Sequence, residues 1–106
     1  MANFVLMYFG GGTPERPADQ EAVMKDWMAW FGKLGAAVAD AGNPFVPVAK
    51  SIASDGRVSA GSMGAMATGY SIIKADSLDA AVELSRSCPQ LAAGGTITVY
   101  ETFPAM

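Results

Sequence analysis

The sequence predicts an α+β domain, a β-sheet with helices packed on at least one face. Two observations carry this. Gly69 to Ala75 reads as a buried strand, Ser77 to Cys88 as an amphipathic helix and Thr96 to Phe103 as a further strand, which together make a crossover unit. The N-terminal half supplies a similar unit beginning at Phe4.

Composition sets the outer bounds. The chain has 106 residues, 51% hydrophobic and 16% charged, enough for one domain (1–106) with a single core and more apolar surface than a small monomer hides. A homodimer is therefore expected. Net charge is −3 and no segment clusters Lys or Arg, so no nucleic-acid partner is expected. The longest apolar run, Phe4 to Phe9, is too short to span a membrane, and the start lacks the basic flank of a signal peptide, so the expected location is cytoplasmic. The single cysteine, Cys88, has no partner for an intrachain disulfide and reads as a small semi-buried hydrophobe before Pro89. There is no histidine, which removes the commonest general base and the commonest transition-metal ligand together; neither a metal nor another cofactor is expected.

Ala2 to Phe9 is the first strand, apolar on both faces and so in need of cover on both. Gly10-Gly11-Gly12-Thr13-Pro14 is a connector, since it lacks the Gly-Lys-Ser/Thr of a phosphate loop and two prolines interrupt the approach to the helix. The first helix is expected from Ala18 or Asp19 to Ala41, with Val23, Trp27, Trp30, Phe31, Leu34 and Val38 on its core face and Gly42 ending it. Phe45 to Ile52 reads as the second strand, with Pro47 placing it at an edge or a bulge. Asp55-Gly56 is a hairpin turn signal.

The stretch from Ser59 to Thr68 is small-residue loop with two methionines. It fits either a mobile linker or a segment packed on the open face of the sheet, and the liability of exposed methionines favours packing. Gly61-Ser62-Met63-Gly64 has the spacing of an RNA-binding loop, but the acidic balance argues against that use. Ser77 is the expected cap of the second helix, with Leu78, Ala81, Val82 and Ser85 as its core face and Pro89 as its stop. In the last strand Ile97 and Val99 alternate with Thr98 and Tyr100.

Several of these segments resemble a known family. Asp55-Gly56-Arg57-Val58, Gly69-Tyr70-Ser71-Ile72-Ile73-Lys74-Ala75, Ser77-Leu78-Asp79-Ala80-Ala81, Cys88-Pro89-Gln90-Leu91, Gly94-Gly95 and Thr98-Val99 resemble the YCII-related, or DGPF-domain, proteins, over nearly the whole chain. The resemblance implies a ferredoxin-like βαββαβ fold with an antiparallel four-stranded sheet, pairing as a dimeric α+β barrel around a cleft. It also marks departures. The family's Asp-Gly-Pro-Phe signature falls at Ala60-Gly61-Ser62-Met63, and Gln90 stands where many relatives carry histidine. Some relatives are linked to lactone dehalogenation or isomerisation, and others occur beside transcription sigma factors.

The leading expectation is a non-catalytic dimer that binds a small apolar or amphipathic molecule in the inter-sheet cleft, with Tyr8, Met63, Met66, Tyr70, Gln90 and Tyr100 as lining residues. The same side chains would equally suit a plain dimer interface. One alternative is an isomerase- or dehalogenase-type enzyme using Asp19, Asp55, Glu101 or the tyrosines for proton transfer, although solvated surface is the plainer reading of each carboxylate. The other is a regulator that binds a protein partner, which rests on the family association.

Overall fold

The computed structural model describes residues 1–105. Strand β1 (Ala2–Phe9) leads through the glycine connector to helix α1 (Pro17–Leu34), a 3-10 turn (Gly35–Ala37) and strand β2 (Val38–Asp40). A hairpin follows, β3 (Lys50–Ile52) and β4 (Val58–Ala60), then β5 (Ala67–Ala75), α2 (Leu78–Ser85), the short α3 (Pro89–Ala92) and β6 (Thr96–Glu101). Four strands form one antiparallel sheet in the order β2, β5, β1, β6, and β3 pairs with β4 in a separate two-stranded sheet.

The alternation of β1 decides which face of the main sheet is covered. Phe4, Leu6 and Tyr8 are buried while Val5, Met7 and Phe9 are half-buried, and Ser71, Ile73 and Ala75 of β5 share the buried side. All three helices lie on that side: Trp30 of α1, Ala81 of α2 and Cys88 before α3 complete the core cluster, with Trp27, Phe31 and Leu34 packed against it. Tyr8, Trp27, Trp30 and Phe31 form a chain of edge and tilted ring contacts with centroids 5.1 to 6.0 Å apart. The indole Nε1 of Trp30 donates to the Leu84 carbonyl at 3.3 Å, tying α1 to α2.

The helices begin as their sequences dictate. Pro17 occupies the first position of α1 and Asp19 its first turn. The Ser77 side chain caps α2 by accepting from the Ala80 amide at 3.1 Å.

Four expectations are corrected. Helix α1 ends at Leu34, because Gly35 takes a left-handed φ of 56° and returns its amide to Phe31; Val38 therefore belongs to β2. The second strand of the sheet is Val38–Asp40, and Phe45 to Ile52 contributes only Lys50–Ile52 to the hairpin. The core stripe of α2 is Ala81 and Ser85, flanked by Ala80 and Leu84, while Leu78 and Val82 face solvent. Pro89 opens a short helix as well as following the previous one.

Between residues 44 and 66 the chain departs from the sheet as an arm, its root held where Pro44 bridges to Gly69 and the Phe45 amide donates to the Thr68 carbonyl at 2.9 Å. The Asp55-Gly56 turn closes the hairpin, with the Asp55 carboxylate accepting from the Arg57 amide at 2.9 Å. The arm makes the molecule flat, 44 × 41 × 18 Å, with a radius of gyration of 15.2 Å. A compact chain of this length has about 13 Å. Among the described residues no helix is long and apolar enough to cross a membrane.

Candidate functional site

Among the described residues, no helix packs on the face of the sheet opposite Phe4, Leu6 and Tyr8. Its residues follow from register: Val5 lies between Ile72 and Tyr100, and Met7 between Tyr70 and Thr98. The result is an apolar floor of Val5, Met7 and Ile72 bordered by the phenols of Tyr70 and Tyr100. Tyr70 donates its hydroxyl to Asp40 Oδ2 at 3.3 Å, while Asp40 Oδ1 accepts from the Gly42 amide at 2.8 Å. The adjacent Asp40 charge pushes the Tyr70 phenol above its ordinary pKa. The ring of Phe45, at the root of the arm, stacks on Tyr70 with centroids 5.9 Å apart. Beside it runs a groove of about 490 Å³, lined by residues that include Phe45, Val46, Val48, Met66 and Ala67.

Of the six expected lining residues, Tyr70 and Tyr100 occupy this open face and Met66 borders the groove. Met63 is exposed on the loop after β4, so the expected packing of the two methionines on the sheet is not made by the chain itself. Tyr8 and Gln90 are corrected to the opposite face. Tyr8 shares the helix side with Phe4 and Leu6 by simple alternation, and Gln90 turns inward from α3.

There these two residues build a buried polar cluster. Tyr8 donates to Ser71 Oγ at 2.7 Å, and Ser71 donates on to the Ala41 carbonyl at 2.7 Å. Gln90 Nε2 donates to the carbonyls of Phe9 and Gly10 at 3.0 and 3.1 Å, so the glycine connector is held by a side-chain amide. Burial raises the Tyr8 phenol well above its ordinary pKa, with Cys88 close by adding to the shift. Burial likewise raises the Cys88 thiol, leaving it protonated and a poor nucleophile at neutral pH. Every buried polar side chain here has a partner, among the described residues, so the cluster is a closed structural network.

The expected acid/base candidates lie apart. Asp19 faces Arg16 at 3.8 Å on the exposed start of α1, Asp55 serves the hairpin turn beside Arg57, and Glu101 is exposed at the end of β6. Among the described residues no three His, Cys, Asp or Glu side chains gather as a metal site. The sequence reading missed Asp40, Ser71 and Phe45. Asp40 was hidden inside the expected helix, and the signal that finds it is Gly35, a second glycine three residues after Gly32 in a segment otherwise suited to helix.

No protein-family model matches this chain, and no curated protein matches it.

Proposed function

We propose that two copies of this chain pair through their open sheet faces as a ferredoxin-like, YCII-related dimeric α+β barrel, and that the space between the sheets binds a small apolar or amphipathic molecule in the cytoplasm. The observation that carries the reading is surface area. The chain exposes 7324 Å². A compact monomer of 10.9 kDa exposes about 5600 Å². The excess, about 1700 Å², is what one partner contributes to a large obligate interface. The strand order β2, β5, β1, β6 with every helix on one side supports the ferredoxin-like arrangement, since it leaves the Val5, Met7, Ile72 surface for a partner. Tyrosine hydroxyls at the border of an apolar floor suit a ligand with a hydrophobic body and one polar end.

Native mass spectrometry of the purified protein tests this. The expected result is a dimer that carries a small adduct, and Tyr100→Asp is expected to weaken the dimer by placing a charge in the contact. A monomeric wild type overturns the pairing; a bare dimer removes the ligand and leaves a plain interface.

One observation favours a second reading, an isomerase-type enzyme: the Tyr70–Asp40 pair joins a phenol to a carboxylate on the open face. Comparing a retained molecule's structure before and after incubation with the protein separates binding from turnover.

A further inference from the structure

We propose that the arm of residues 44 to 66 crosses to a second copy of this chain and lies over that copy's open sheet face, so that each cleft is walled by the strands of one subunit and the hairpin of the other. This rests on the pairing proposed above. The hairpin is amphipathic. Ile52 pairs directly with Val58 and Lys50 with Ala60 on one face, while Ser51 pairs with Ser59 on the other, where Ser51 Oγ donates to the Gly61 carbonyl. Within one copy the apolar side of the arm is left open by the described residues: Val46 is 75% exposed, Ile52 71% and Val58 57%. A two-stranded hairpin with such a face is at best marginally stable alone in water, so it needs a surface to pack on.

The second copy supplies that surface on three counts. The excess area of about 1700 Å² reflects the flat, extended shape to which the arm contributes, and packing the arm on a second copy withdraws part of that surface from water. The arm's root lies on the open-face side of the sheet, where Phe45 stacks on Tyr70, and the groove beside it is lined by Val46, Val48 and Met66, so apolar surface continues from that ring along the arm. Charge also fits. The arm holds Lys50 and Arg57 against Asp55, a net +1, and leaves the rest of the chain at −4, so it is attracted to the body of another copy.

The test uses Ile52→Asp/Val58→Asp, with Val46→Asp as an independent second variant. In an isolated chain these positions are solvent, so folding by circular dichroism is expected to be unchanged, while the dimer dissociation constant by analytical ultracentrifugation rises at least about 100-fold. A spin label on Met63→Cys in one copy, mixed with isotope-labelled wild type, is expected to broaden the partner's amides between Val5 and Phe9 and between Thr96 and Glu101. Variants as tightly dimeric as wild type overturn the arm's role and leave sheet pairing standing. Broadening confined to residues 44 to 66 overturns it in favour of arm-to-arm contact, and a monomeric wild type overturns both proposals.

Discussion

Tyr8 shows how one residue's position turns on its neighbours. In a strand as uniformly apolar as Ala2 to Phe9, the sequence holds no signal for which set faces the helices, and only the alternation with Phe4 and Leu6 assigns Tyr8 to the core. Its burial, and that of Cys88, makes stability depend on pH in a defined direction. Both groups are acids whose folded pKa lies above the unfolded value. Below the unfolded values, about 8.5 for a thiol and 10 for a phenol, both states are neutral and the full stability is present. As pH rises past those values towards the folded ones, the unfolded chain ionises first and stability is lost. The thermal midpoint is thus expected to fall from about pH 9 upward, and less steeply in Tyr8→Phe; equal slopes would place the responsible groups elsewhere.

At the scale of the element, glycines account for what was legible and what was not. Strand β5, helix α2 with its Ser77 cap, β6 and the Asp55-Gly56 hairpin turn were readable because each carries a local signal: apolar period, cap, or turn dipeptide. The end of α1 was not. Gly35 and Gly42 offered two stops, and the choice depends on whether Val38 pairs with Ile73 across the sheet, a contact 35 residues away that no window contains. Gly42 is instead the exit from β2, at φ 72°, and a Cβ there would sit 1.8 Å from the Tyr70 carbonyl oxygen. Gly42→Ala is expected to cost at least about 2 kcal/mol in chemical denaturation, combining left-handed strain with overlap against backbone that cannot turn aside. The candidate site was half legible for the same reason: Tyr70 and Tyr100 lie on readable strands, whereas Asp40 and Phe45 lie where the element boundaries were lost.

The whole molecule is flat, apolar on one broad side and extended by an arm, and the proposed pairing would put these features to use. If folding and association are one event, the melting temperature depends on protein concentration. Tenfold dilution is expected to lower it by about 3–5 °C in differential scanning fluorimetry, and a midpoint that does not move would describe a monomer that is stable alone.

The sheet's strand order also bears on how a chain is made. Of the four strands of the sheet, β1 leaves the ribosome first yet sits in the middle, between β5 and β6. Its neighbours follow nearly 60 and 90 residues later, a delay on the order of 3–18 s at cellular rates of synthesis. Until β5 is made, Phe4, Leu6 and Tyr8 have no central partner strand, and closure of the core waits for the last one.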